Sequence, residues 1–307
     1  MSVLSESHFH NEEAAFERLE AIVWPEGPVC PKCGNCDQQR ITRVTGETAR
    51  IGLRRCLECK KQFTVKVGTV FESSHVPLHK WWQAAHLLVS SKKGISAHQL
   101  HRTLQVTYKT AWFMFHRLRE AMRDGVLSPM GGEGKQVEVD ETYIGRLKGT
   151  PVKRDGGAHK NSVVTLVERG GRARSFHVDT ARIGTVMPIV RDNIAKESAL
   201  MTDEAQMYRR VGQEFASHDF VTHSKDEYVR GSVTNTVEGY YSIFKRGMKG
   251  VYQHCGEQHL HRYLAEFDFR YSNRIALGVD DNNRTVKAMA GIVGKRLKYR
   301  DSSVGVP

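Results

Sequence analysis

Two sets of residues in this chain are spaced for metal chemistry, and the first is made of thiols. Five of the six cysteines fall between Cys30 and Cys59, as CPKCGNC followed by CLEC, while Cys255 stands far away. In a reducing compartment such clustering argues for a metal rather than for disulfides. Cys30 with Cys33, and Cys56 with Cys59, form two CxxC pairs; each pair can set two thiolates on one tight knuckle, and two knuckles complete a tetrahedral four-sulfur shell for zinc. Four protein ligands leave no open position for a substrate, so the expected role of the zinc is structural. Cys36 reads as a bystander and Cys255 as an ordinary free thiol.

The second set is made of carboxylates. Asp140 lies inside QVEVDETYIG, where apolar and polar residues alternate, and an acid within such a strand is costly to bury unless it is paired or bound to a metal. Asp203 closes the apolar run ALMTD. Glu238, in VTNTVEGYYSIFKRGMKG, has two readings: with Asn235 it fits a reciprocal cap at a helix start, and with the two aspartates it fits a metal site. Two acids on a sheet and one on a following helix could converge on a pair of hard divalent cations. Such a pair polarises a scissile phosphate, activates water or a DNA 3′-hydroxyl, and stabilises the leaving oxygen. The neighbouring Glu138, Glu141 and Glu204 read as solvated or supporting groups. His218, His223, His254, His259 and His261 lack the spacing of a metal motif and read as surface or DNA-facing residues, with His254 as a candidate DNA contact.

The elements that must position these groups differ along the chain. Around the cysteines, QQRITRVTGETARIGLRRC with a turn near Gly46, and then QFTVKVGTVF, read as the short strands of a zinc ribbon, too few to bury a core without the metal. After Pro77, LHKWWQAAHLLVSS is helical, with Trp81, Trp82, Ala85, Leu87 and Leu88 as a core stripe. Ser96 is placed to cap a helix over 97–104, QVT supplies a turn, and residues 108–122 return to helical period through Ala111, Phe115 and Leu118. The pair reads either as a helix-turn-helix with Lys109, Arg117 and Arg119 facing DNA, or as a helical hairpin with solvated charges. SPMGGEGK at 128–135 is a glycine-rich linker. Beyond it QVEVDETYIG is a strand, NSVVTLVERGGRARSFHVD a hairpin turning at Gly170–Gly171, residues 181–195 a helix and ALMTD another strand, which together describe a mixed α/β sheet.

A length of 307 residues suits about two domains, and Lys+Arg 46 against Asp+Glu 34 leaves a net charge of +12. That balance favours a polyanionic partner, nucleic acid before anionic membrane. No apolar run suits a spanning helix and the N-terminal residues have no signal-like apolar stretch, so the expectation is an intracellular protein without a membrane partner.

The motifs VEVDETYIGRLKG, LMTDE and TNTVEGYYSIFKRGMKGVYQH, behind the CxxC–CxxC ribbon and the two short helices, resemble the prokaryotic insertion-sequence transposases of the ISXO type, within the DDE superfamily. The likeness spans most of the chain, from residue 15 to about 275. It implies an RNase H-like mixed α/β catalytic domain, two Mg²⁺ (or Mn²⁺) per active site beside the structural Zn²⁺, and strand cleavage and transfer on double-stranded DNA. Terminal inverted repeats and a target would be the DNA partners, at least a dimer would work on paired ends, and the place of action would be the prokaryotic cytoplasm. By match of motif the triad is Asp140, Asp203 and Glu238, with Lys245 as the associated basic residue; some relatives use Asn as third ligand, which makes Asn235 an alternative. Lys245, Arg246 and Lys249 join Lys109, Arg117 and Arg119 as expected DNA contacts. The expected division is 1–76 for the ribbon segment, 77–127 for the helix-turn-helix, 128–135 for the linker, 136–275 for the catalytic domain and 276–307 for a basic tail. A DNA-binding regulator or transposase remnant without chemistry, and a nuclease that cuts without joining, are the competing readings.

Overall fold

The structure is a computed structural model, and it describes residues 2–125, 128–152, 157, 159–203, 208–221 and 235–297. Glu204, His223, the side chain of Asn235 and the end of the expected basic tail lie outside the described residues. The chain divides into two compact units: Met1–Ser91, Ile95–Arg123 and Asp280–Pro307 form one, and Lys92–Gly94 with Asp124–Val279 form the other.

The first unit begins with α1 (Glu12–Val23), capped by the Asn11 side chain, which accepts the Ala14 amide at 3.0 Å. The ribbon follows as a three-stranded antiparallel sheet of β1 (Ile41–Arg43), β2 (Arg54–Cys56) and β3 (Gln62–Phe63) in that order. Its small core holds Cys30, Ile41, Cys56 and Phe63, with Trp24 edge-on to Phe63 at 5.8 Å. In α2 (Leu78–Ser90) Trp81, Trp82, Ala85 and Leu88 are buried as the apolar stripe requires, while Leu87 is only partly covered. Pro77 offers this helix no side-chain acceptor, and Glu12 supplies one from α1, taking the Leu78 and His79 amides at 2.7 and 3.1 Å. Ser96 caps α3 (Ala97–Leu104), Gln105 turns the chain in the left-handed region, and Thr107 caps α4 (Tyr108–Ala121).

The second unit is built on a five-stranded mixed sheet. Its elements are β4 (Gln136–Ile144), β5 (Asn161–Glu168), β6 (Ala173–Val178), α5 (Ile183–Asn193), β7 (Ala199–Asp203), α6 (Tyr208–Gly212), β8 (Ser217–Val221), α7 (Asn235–Gly247) and α8 (Leu260–Ser272). The sheet order is β6-β5-β4-β7-β8; β5 runs antiparallel to both β6 and β4, and β4, β7 and β8 are parallel. The two-residue period of a strand sorts its side chains onto two faces. Val137, Val139, Val164 and Leu166 pack with Val186, Val190 and Tyr208 of α5 and α6. Ile144, Val163 and Val167 pack on the other face with Val237, Tyr241, Phe244 and Phe267 of α7 and α8. Every residue of β5 is buried, so it sits at the centre of the unit with helices on both sides. At Gly247 a Cβ would stand 2.5 Å from the Phe267 ring and 2.6 Å from the Lys93 carbonyl oxygen, so only glycine lets the end of α7 approach so closely.

The chain then rejoins the first unit as α9 (Asp281–Ala290), which lies along α2. Arg284 donates to the Val89 carbonyl at 2.9 Å, and His86 meets the Thr285 hydroxyl at 3.0 Å. The stretch expected as a basic tail therefore carries a packed helix. Among the described residues, no helix is long and apolar enough to cross a membrane.

Candidate functional site

The four cysteines of the two pairs converge. Cys30 and Cys59 have their sulfurs 3.7 Å apart, as do Cys33 and Cys56, and one atom from each of the four lies within 4.8 Å of the others. A tetrahedron with Zn–S bonds of about 2.3 Å has an edge of about 3.8 Å, so the sulfurs already stand at zinc spacing. Each knuckle turns in the same way: Gly34 and Lys60, the residues after the second cysteine of each pair, both take positive φ, at 76° and 58°. Asn35 Nδ2 donates to the Cys56 sulfur at 3.6 Å, which orients the thiolate as a supporting group does around a metal. Cys36 is exposed and stays outside the group, as does Cys255.

In the second unit, β4 and β7 run parallel with Glu138 opposite Met201, and extending that register brings Asp140 abreast of Asp203. Oxygen atoms of Asp140, Glu141 and Asp203 lie within 4.8 Å of one another. Asp140 and Glu141 point to opposite faces of β4, so the third strand-end acid is approached from both sides. Burial pushes the Asp140 carboxyl up to about 7; Asp203 and Glu238 add to the rise, while a 2.8 Å bond from the Glu141 amide and the charge of Lys245 oppose it. Burial also pushes Glu141 up to about 7, against the hydrogen bond it accepts from the Tyr208 hydroxyl and with help from the two aspartates. Crowded, half-buried acids that resist joint ionisation are a site whose balance a cation would restore. Glu141 read from the sequence as a flanking group; the structure makes it a full member.

Glu238 occupies the first turn of α7, exposed and outside the 4.8 Å group, yet its charge is felt at Asp140. What sets its position is a residue the sequence placed in a minor role. Glu138 is completely buried, so of its two sequence readings, solvated or supporting, the second is the one it takes. Its carboxylate accepts Arg169 Nε at 2.6 Å and, through the other oxygen, the Thr236 and Val237 amides at 2.9 and 2.8 Å. These amides are among the donors that a helix start leaves without internal partners, and an anion there also meets the positive end of the helix dipole. Farther along α7, the Tyr240 hydroxyl donates to Asp268 of α8 at 2.6 Å, and Tyr241 donates to the Asp140 carbonyl at 2.6 Å. The helix is thus tied to the acid-bearing strand at its first and second turns.

Lys245 is half-buried on the same helix, with Nζ 5.8 Å from the Tyr241 ring centroid, and Arg246 and Lys249 are exposed. Of the three cations expected on the second short helix, only Lys109 is exposed. Arg117 and Arg119 are 8% and 2% exposed, Arg117 donating to the Glu72 carbonyl at 3.1 Å and lying over Phe113, Arg119 lying over Phe115. Guanidinium groups held this way serve packing, and the expectation that they face DNA is corrected on that ground. Among the histidines, His254 is exposed, His218 meets the Thr202 hydroxyl at 2.9 Å, and His259 meets Arg262 at 2.7 Å.

Residues 131–272 match the ISXO2-like transposase domain, and residues 10–62 match the transposase zinc-ribbon domain. Over 281 residues, 85% of this chain and 91% of the relative, the sequence is 28% identical to an uncharacterized protein in transposable element ISH50 of Halobacterium salinarum. Among solved structures, a chain in the cryo-EM structure of the simian T-cell lymphotropic virus intasome in complex with PP2A regulatory subunit B56 gamma aligns with 55% of this chain and 67% of its own. That alignment has 14% identity and a TM-score of 0.30.

Proposed function

We propose that this chain, an insertion-sequence transposase of the ISXO type by its DDE domain and its zinc ribbon, binds the terminal inverted repeats of its element and cuts and joins DNA strands at them. The observation that carries the reading is the meeting of Asp140 and Glu141, midway along β4, with Asp203 at the end of the parallel β7, and Glu238 delivered toward them by α7. Mixed strand order with helices on both faces supports an RNase H-like domain over 136–275, and the capped pair α3–α4 supports a helix-turn-helix in 77–127. Residues 128–135, expected as a linker, pack into the second unit: Met130 is buried in its core and its amide donates to the Asn193 carbonyl at 2.7 Å.

Asp140, Asp203 and Glu238 hold the divalent cations, and Glu141 adds a fourth carboxylate kept in place by Tyr208. Bound Mg²⁺ or Mn²⁺ supplies Lewis-acid charge for an in-line displacement at phosphorus. The chain itself contributes fixed geometry. Glu138 holds the start of α7 against β4, the Tyr241 hydroxyl pins the Asp140 backbone, and Lys245 offers a cation for the phosphate beside the acids. Zinc in the four-cysteine site folds the ribbon and takes no part in chemistry. Two ends must be brought together for transfer, so the working form is at least a dimer.

The test is an incubation of labelled element ends with a target plasmid and Mg²⁺. Joined products are the expected result, lost in Asp140→Asn and Asp203→Asn. Ends cut but never joined would make the protein a nuclease, and ends bound but uncut by the parental protein would make it a DNA-binding protein without chemistry.

A further inference from the structure

With Arg117 and Arg119 packed inside the first unit, the side chains that read a DNA sequence have to come from elsewhere, and burial decides between the two helices of the capped pair. Of the 14 residues of α4, only Tyr108 and Lys109 are exposed. Met114, Phe115, His116, Arg117, Leu118 and Arg119 are all buried. Six successive residues pass every side of a helix with 3.6 residues per turn, so beyond its first turn α4 has no open side to lay along a groove. The first helix of the pair is the opposite case. Leu100 and Leu104 of α3 are buried, while His98, Gln99, Arg102 and Thr103 are exposed, and that spacing gathers the four within about 140° of the helix circumference. Both ends of α3 are held: the Ser96 hydroxyl accepts the Gln99 amide at 3.1 Å, and Lys80 Nζ donates to the Leu104 carbonyl at 2.9 Å.

The charge of the region names the partner. Between Glu72 and Glu120 the chain has no Asp or Glu, so no acid of this stretch opposes a polyanion at Arg102 or Lys109. The residue types narrow it further. The major groove of a duplex admits one α-helix, and there Gln makes two hydrogen bonds to adenine and Arg two to guanine. The His98 ring stacks on Tyr108 with centroids 4.3 Å apart and planes 25° from parallel, which carries the exposed surface of α3 across to the start of α4. We infer that α3, and not α4, enters the major groove at the element's ends, with Gln99 and Arg102 reading base edges and Tyr108 and Lys109 lying against the phosphate backbone beside it. This reverses the usual order of a helix-turn-helix, whose second helix does the reading. The inference rests on the transposase reading and adds to it the residues that decide which end is recognised.

Base reading and backbone contact leave different signatures, because phosphate contacts carry no sequence information of their own. The experiment uses the full-length protein without divalent metal, and measures affinity by fluorescence anisotropy at one fixed salt concentration. One duplex carries the element's terminal sequence, and the other is a scrambled duplex of the same length. The quantity that decides is the ratio of the two affinities. Gln99→Ala and Arg102→Lys should each lower that ratio about tenfold, since each loses a two-bond contact to one base, and Arg102→Lys does so with the charge kept. Lys109→Ala should weaken both duplexes by the same factor and leave the ratio where it was. Both α3 positions are exposed, and an unchanged thermal midpoint separates a lost ratio from a lost fold. An unchanged ratio in the double variant Gln99→Ala/Arg102→Lys overturns α3 as the reading helix, and so does a ratio that falls in Lys109→Ala alone. Neither result touches the transposase reading, whereas a parental protein with no preference for the element's terminal sequence removes both.

Discussion

One oxygen of the Glu138 carboxylate accepts the Val237 amide at 2.8 Å, joining the strand that carries Asp140 to the helix that carries Glu238. Three strand acids in succession thus divide the labour: Glu138 holds a helix, and Asp140 and Glu141 face the site. Glu138→Gln keeps the size but sets an amide N–H₂ against donors and removes the partner charge of Arg169. The expected cost is about 3 kcal/mol of stability by chemical denaturation, because the donors it leaves are buried. A loss below about 0.5 kcal/mol, the range of ordinary surface changes, would mean that other groups hold α7.

Glu238→Gln separates the two roles set out for that residue. Since Glu138 already satisfies the first amides of α7, the substitution should leave the thermal midpoint nearly unchanged and lower strand cleavage at least a hundredfold, on the order of a lost charge-stabilising group. Asn235→Ala should be tolerated. Parental cleavage by Glu238→Gln, or its loss in Asn235→Ala, reassigns the third ligand.

The raised carboxyls give the metal-free protein a definite pH dependence. Asp140 and Glu141 titrate near 7 when folded and near 4 when unfolded, so the folded state binds protons more tightly. Their stabilising contribution is fully present below the unfolded value, and it is lost as pH rises through about 7. Between pH 5 and 8 the metal-free protein should therefore lose roughly 3 kcal/mol relative to Asp140→Asn, and added Mg²⁺ should restore most of it at pH 8. Parallel pH profiles for the parent and the variant would contradict this.

Elemental analysis should find one zinc per chain. Cys30→Ser or Cys59→Ser should release it and melt the ribbon, since metal binding there is folding energy, whereas Cys36→Ser and Cys255→Ser should retain it. Zinc lost from Cys36→Ser but kept in Cys33→Ser would exchange the ligands.

Lys109→Ala and Arg119→Ala should differ in kind. The first removes an exposed cation, and should weaken end binding and reduce the salt slope by about one. The second removes a packed guanidinium and should lower stability, with the salt slope unchanged for the folded fraction. An unaltered slope in Lys109→Ala would move DNA contact off this helix.

What was legible in the sequence was local. The cysteine pairs, the cap at Ser96, the alternation in β4 and the hairpin of β5 and β6 are set by neighbours within a few positions, and each has its element where expected. What escaped needs a partner from elsewhere in the chain. Glu138, Asp140 and Glu141 look alike in sequence; only the helix on one face of the sheet and Tyr208 on the other give them separate tasks. Arg117 and Arg119 stand two positions apart and so point to different sides of α4, and the carbonyl and aromatic groups that bury them come from packing that spacing does not record. The helix α9 was hidden because its stripe is short and its polar residues bond to α2.

The return of the chain to lay α9 on α2 makes the first unit discontinuous, with the whole sheet unit threaded between its parts. On the ribosome, where N-terminal segments emerge first, His86 and Val89 leave the tunnel long before the helix that packs on them exists. A copy of the gene interrupted after residue 275 would encode all four acids and every cysteine, and would still yield a front unit that cannot close.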